Sequence, residues 1–137
     1  MGKRKPQKKT LDQIQQKYGI RNVKFEQKLA QQILYQEGAV KYETEKIHYT
    51  IPESKHKYTP DFLLKNGIFI EAKGRFMLND RKKHLYIQQQ YPDIDIRFVF
   101  MNPNAPLRKG AKTTYAEWAT KHGFLYSKGS IPTEWFE

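Results

Sequence analysis

The chain has 137 residues, room for one domain around a single core, and its 38% hydrophobic and 14% aromatic content excludes an intrinsically disordered protein. Lys and Arg number 25 against 14 Asp and Glu, so the net charge of +11 points to a polyanionic partner. No cysteine is present, which excludes disulfides, thiolate metal sites and cysteine nucleophiles. A bound metal would therefore need oxygen or imidazole ligands. No apolar run approaches the roughly 18 residues of a membrane span, so neither membrane insertion nor secretion is expected and the cytoplasm is the expected compartment.

Residues 1–10 carry five positive charges and no acid and read as a flexible basic arm ahead of a single domain over 11–137. Leu11, Ile14 and Tyr18 have helical spacing, with Gly19 as a stop. A longer helix is expected over 23–37, where Phe25, Leu29, Ile33 and Leu34 form one stripe and Gly38 follows as cap; Glu26 lies at the border of that stripe. Val40 and Tyr42 then alternate in one parity, and Ile47, Tyr49 and Ile51 in the other. Strand side chains have a period of two, so this change requires a bulge, a break or a crossing near residues 44–46.

A polar loop is expected over 52–57, then a hairpin in which residues 58–64 and 68–73 flank Lys65-Asn66-Gly67. Further on, a helix is expected over 80–91, capped by Asn79, with Leu85 in the core and Pro92 beyond its end. The strand over 94–100 ends in the apolar run Phe98-Val99-Phe100, which suits a central strand covered on both faces. Thr114 and Glu117 have capping-box spacing for a helix that runs to His122 and stops at Gly123. A last strand over 124–126 and a tail containing Ile131, Trp135 and Phe136 complete the pattern.

The hairpin turns a few charges into a candidate site. With a three-residue loop and Gly67 in the left-handed conformation, Leu64 pairs with Ile68 and Asp61 faces Glu71. Lys73 then shares their face, while Ile68, Ile70 and Ala72 point to the core. A two-residue Asn66-Gly67 loop would instead set Asp61 opposite Ala72, unless a bulge intervened. Opposed carboxylates repel, and a divalent cation is the natural remedy, since magnesium is commonly held by one or two carboxylates together with substrate phosphate. A neighbouring ammonium can orient or deprotonate water, or stabilise charge on phosphorus. An arbitrary Glu-x-Lys is more often a solvated strand face, so the triplet alone proves little.

Pro60-Asp61, nine further residues and then Glu71-Ala72-Lys73 resemble the Pro-Asp…Glu-x-Lys motif of restriction-endonuclease-like nucleases. The longer strings Tyr58-Thr59-Pro60-Asp61-Phe62-Leu63-Leu64, Asn66-Gly67-Ile68-Phe69 and Asp80-Arg81-Lys82-Lys83-His84-Leu85 resemble the phage endonuclease I family of Holliday-junction-resolving enzymes. Asp95-Ile96-Arg97, Lys121-His122-Gly123 and Ile131-Pro132-x-Glu134-Trp135 are similar in the same order, so the likeness runs over about 23–135.

The resemblance implies an α/β fold with a mixed sheet flanked by helices, acting as an intertwined homodimer on branched DNA. It implies metal ligation by Asp61, Glu71 and the carbonyl of Ala72, with one or two Mg2+ or Mn2+ ions, and a catalytic role for Lys73. It further implies a helix glutamate, matching Glu26, supplied by the partner subunit, with the chain crossing between lobes near 44–46. Outside the motif, His56, Arg75, Arg81, Lys82, Lys83 and His84 are candidates for contact with the DNA backbone. Neither a membrane nor a small-molecule substrate is expected. The competing readings are a nuclease of the same fold acting on mismatches, flaps or nicks, and a non-catalytic basic DNA-binding protein.

Overall fold

The computed structural model describes residues 24–51 and 54–137; the basic arm and the short helix expected near residues 11–18 lie outside them. Helix α1 (Lys24–Glu37) buries Leu29, Ile33 and Leu34 of the expected stripe together with Ala30, while Phe25 is only partly buried against the same cluster. It ends at Gly38, whose φ of +79° suits a residue without Cβ and whose N–H donates to the Leu34 carbonyl at 2.8 Å.

Strands β1 (Ile47–Ile51) and β2 (Ser54–Tyr58) form an antiparallel pair in which Ile47 lies opposite Tyr58. The polar loop expected over 52–57 is therefore corrected. Residues 54–57 are strand, but all four face solvent, and only Tyr58 turns inward. The parity change between Tyr42 and Ile47 is a break. Tyr42 bridges to Phe62 of another sheet, Glu43 takes a left-handed φ of +51°, and residues 44–46 form no regular element before β1 joins β2. Each piece keeps its own inward face because each belongs to a different sheet.

The main sheet comprises β3 (Phe62–Leu63), β4 (Phe69–Lys73), β5 (Ile96–Phe100) and β6 (Tyr126–Lys128), in the order β3-β4-β5-β6. The first pair is antiparallel and the other two are parallel, so the sheet is mixed. Strand β5 is central and covered on both sides. Val99 packs in a cluster with Leu29, Ile33 and Ile70, whereas Phe98 and Phe100 join Phe76, Tyr115, Trp118 and Phe124. A third cluster gathers Ile47, Tyr49, Tyr58, Ile87 and Ile96 beneath the β1–β2 pair.

Helix α2 spans Leu78–Gln90 and starts two residues before the expected position. Met77, not Asn79, precedes it, and Asp80 accepts a hydrogen bond from the Met77 N–H at 3.1 Å, one half of a capping box. Its buried face is Arg81, His84 and Ile87; Leu85, expected in the core, is only half-buried at the edge of the aromatic cluster. Helix α3 (Tyr115–Lys121) begins as expected, the Thr114 hydroxyl accepting from the Glu117 N–H at 3.1 Å. The last strand lies two residues beyond the expected 124–126. Phe124 is drawn into the aromatic cluster, and Tyr126–Lys128 pair with Phe98–Phe100. No helix among the described residues is long and apolar enough to cross a membrane.

Candidate active site

The register of the β3–β4 hairpin decides whether the acidic residues meet. Gly67, at φ +92°, donates its N–H to Leu64 at 3.0 Å, and the Leu64 N–H donates to Ile68 at 2.9 Å. Asn66 holds the loop from within, its side-chain oxygen accepting from the Ile68 N–H at 3.1 Å. The loop therefore has three residues. Phe62 lies opposite Ile70, and one step further Asp61 faces Glu71, its N–H 3.4 Å from Glu71 Oε2. A two-residue turn would have rotated Asp61 to the other face.

Both carboxylates lie inside the protein, Asp61 at 7% exposure and Glu71 at 4%. Each has one oxygen occupied. Asp61 Oδ2 accepts from the Ala72 N–H at 2.9 Å, and Glu71 Oε2 accepts from the Tyr58 hydroxyl at 2.5 Å. The Lys73 ammonium lies 3.5 Å from Glu71 Oε1 and 3.4 Å from Asp80 Oδ1. The expected face of Asp61, Glu71 and Lys73 is assembled.

Burial, then the negative charges of Glu71 and Glu26, push the Asp61 carboxyl up to about 8. Burial also raises Glu71, against the opposing pull of Lys73 and the Tyr58 hydroxyl. Tyr58 itself is raised well above its ordinary range by burial and by Glu71, so its hydroxyl keeps its proton and donates. For Lys73, burial favours the neutral amine, but Glu71, Asp80 and Asp61 outweigh it and the net shift is upward. Lys73 is thus a fixed cation at neutral pH. Of the roles its spacing allows, orienting water and stabilising charge on phosphorus fit this state of the metal-free fold.

Two buried carboxylates with one ammonium beside Glu71 are short of positive charge, which a divalent cation would supply. The hard oxygens left for it are Asp61 Oδ1 and Glu71 Oε1, with the Ala72 carbonyl and Glu26 as further candidates. Among the described residues no three acidic or imidazole groups are gathered at ligand spacing. Metal binding must displace the Asp61 proton. In the metal-free protein Asp61 ionises on unfolding at about 4 but stays protonated in the fold up to about 8, so its contribution to stability is present below 4 and is lost as pH rises through 8. Thermal denaturation should show wild type falling progressively below Asp61→Asn from pH 5 to pH 8, with magnesium closing the gap. A gap independent of pH would contradict this assignment.

Glu26 accepts a hydrogen bond from the Tyr42 hydroxyl, and its charge reaches Asp61 of the same chain. Within the single chain a third carboxylate thus approaches the pair from α1. The residues expected to face DNA divide. Arg75 and Lys82 are exposed, Lys83 reaches to within 3.9 Å of Asp80, and His56 is exposed with its ring beside Tyr49. His56, Lys82 and Lys83 line one open groove of about 470 Å³ with Asp80 and Tyr86.

Arg81 and His84 require correction. The Arg81 guanidinium is buried and donates to the carbonyls of Phe76 at 2.7 Å and Leu107 at 3.4 Å, joining the segment before α2 to the loop after β5. His84 is fully buried among the rings of Tyr58, Phe98 and Phe124, and burial drives it well below its ordinary value, to a neutral ring. Neither can reach a phosphate. The residues that sequence reasoning missed are Tyr58 and Asp80. Tyr58 sits three positions before Asp61, at the inward end of an otherwise polar strand, and Asp80 lies in a helical first turn, where a carboxylate usually signals only a cap.

The model of the family described as Phage endonuclease I matches residues 8–137. The chain is similar to Endodeoxyribonuclease 1 of Enterobacteria phage T3, 50% identical over 108 residues that cover 79% of this chain and 71% of that protein. It is also similar to Endonuclease I of Escherichia phage T7, 46% identical over 113 residues that cover 82% of this chain and 76% of the relative.

Proposed function

This chain belongs to the phage endonuclease I family, and from that membership together with the carboxylate pair we propose that it is a DNA endonuclease that resolves four-way junctions by metal-dependent phosphodiester hydrolysis. The observation that carries the reading is Asp61 facing Glu71 inside the protein, with Lys73 beside them. The hydrolytic centre comprises Asp61, Glu71 and Lys73, joined by Glu26. A bound magnesium or manganese ion would supply Lewis acidity and a more acidic water.

The chain's own residues do the rest. Asp61 keeps one oxygen open while Ala72 fixes the other, and Glu71 has one oxygen fixed by Tyr58 and the other paired with Lys73. Lys73, beside Glu71 and raised above its ordinary value, would stabilise negative charge developing on the phosphoryl oxygens. The excess of basic residues, among them Arg75, Lys82 and Lys83, draws the DNA backbone to this face and sets affinity without reading sequence.

A homodimer belongs to the same proposal. Two sites related by a two-fold axis match paired cuts on opposing strands of a four-way junction. In an intertwined pair, α1 of each chain would take on the partner's lobe the place it has here on its own, and residues 44–46 would be the hinge, so Glu26 would complete a partner's site with the same contacts. The enzyme would act in the host-cell cytoplasm.

A panel of junction, flap, mismatched, nicked and linear duplexes, cut with and without magnesium, tests the reading. Junctions should be cut in preference, at symmetric positions, and only with the metal. Equal cutting of linear duplex would refute the junction assignment, and preference for a flap, mismatch or nick would transfer the activity to that substrate. Binding without cutting would leave the protein a basic DNA binder.

A further inference from the structure

The carboxylate of Asp80 lies 3.4 Å from the Lys73 ammonium, closer than the 3.5 Å from Lys73 to Glu71. It approaches from outside the motif. Asp80 belongs to the first turn of α2, and its other oxygen is engaged by the Met77 N–H at 3.1 Å, which fixes the carboxyl plane to the backbone at the start of the helix. Met77 itself is only four residues beyond Lys73. Lys73 is therefore suspended between a carboxylate on its own strand and one on the neighbouring helix, with most of its side chain buried.

We propose that Asp80 is a positioning residue for the hydrolysis, holding the Lys73 ammonium in place when Glu71 turns its charge toward a bound cation. The inference rests on the reading of Lys73 as part of the hydrolytic centre. With Glu71 as its only partner, a flexible four-carbon side chain would lose its anchor as the metal and the DNA phosphate entered. With Asp80 the ammonium has a second, preorganised acceptor that does not compete for the metal, because its other oxygen is committed to the helix start. Lys83 joins the arrangement one turn along α2, 3.9 Å from the same Asp80 oxygen and over the Tyr58 ring at 5.4 Å. Asp80 thus links the cations of α2 to the Glu-x-Lys strand.

Asp80→Asn separates this role from helix capping. The amide oxygen can still accept from Met77, but the charge facing Lys73 is gone. Single-turnover and steady-state cleavage of a junction should show kcat reduced on the order of ten- to hundred-fold, the range in which outer partners of site residues act, with KM changed less than about twofold. The melting temperature should stay within about 2 °C of wild type. Asp80→Glu should recover part of the rate. In a Lys73→Met background, Asp80→Asn should add no further loss, because the interaction it removes is already absent.

Wild-type kcat for Asp80→Asn beside an inactive Lys73→Met would overturn the proposal and leave Lys73 in its role. Wild-type cutting by Lys73→Met would overturn both. A loss that persists undiminished in the Lys73→Met background, or one that tracks a fall in melting temperature, would reduce Asp80 to a helix cap.

Discussion

Glu71→Gln and Asp61→Asn should each reduce cleavage by about a thousandfold or more while leaving junction binding nearly unchanged. Both substitutions keep shape and hydrogen bonding. The amide oxygen introduced at position 71 can still accept from the Tyr58 hydroxyl, and the one introduced at position 61 can still accept from the Ala72 N–H, so the hairpin register survives. What disappears is the negative charge by which the pair would hold a divalent ion, and losing a charge-stabilising group in a water-poor site commonly costs about a hundred- to a thousandfold by itself. Loss of a bound metal would add to that. Affinity should hold, because it comes from the excess of basic groups and falls steeply with salt in wild type and variants alike. Junction cleavage under single-turnover conditions, beside binding at matched ionic strength, is the measurement. Cutting within tenfold of wild type by both variants would show that the hydrolytic centre lies elsewhere.

The largest effect on folding is expected at Phe76, outside the acidic centre. This ring has no exposed surface and lies 4.9 Å from Trp118, 5.0 Å from Phe98, 5.4 Å from Phe100 and 5.8 Å from Tyr115, centroid to centroid. Phe76→Ala removes the hub of that cluster and leaves a cavity walled by α3 and by β5, which the parallel ladders on both sides hold in place. Replacement of a buried Phe by Ala costs about 3–5 kcal/mol, against roughly 5–15 kcal/mol of total stability for a domain. Urea titration should show a lower midpoint with an unchanged slope. Leu125→Ala, at 55% exposure, should change stability by less than about 0.5 kcal/mol. A loss below about 1 kcal/mol for Phe76→Ala would mean that the cluster collapses around the gap.

The acidic pair was legible as one of two registers. Asn66-Gly67 before an alternating strand marks the turn but allows a two- or a three-residue loop, and only the Leu64–Ile68 and Gly67–Leu64 hydrogen bonds select the one that opposes Asp61 and Glu71. The apolar run 98–100 was legible as a central strand for a local reason: no face of it is left for water. Strand β2 was not legible. With Ser54, Lys55, His56 and Lys57 all solvated it carries no alternation, and only its pairing with β1 makes it a strand. Helix α2 misled for the opposite reason. Arg81, Lys82, Lys83 and His84 read as one basic cluster, but a turn of 3.6 residues separates them, sending Arg81 and His84 inward with Ile87 and leaving Lys82 outside. Polarity named the residues, and tertiary contacts chose their direction. Asp80 was read as belonging to the helix because nothing in the sequence places residue 80 against residue 73.

Asn66 also reaches across the molecule. Its side-chain amide donates to the carbonyls of Trp135 at 2.7 Å and Glu137 at 2.9 Å, about seventy positions later in the chain. Every residue proposed for the hydrolytic centre lies between positions 26 and 80, yet the turn that aligns them is latched by residues 135–137. A nascent chain that has emerged only to residue 100 therefore carries all of the acidic groups with the turn still unlatched. The alignment of the acidic pair is thus tied to a tertiary contact about seventy positions away as well as to the turn's own hydrogen bonds.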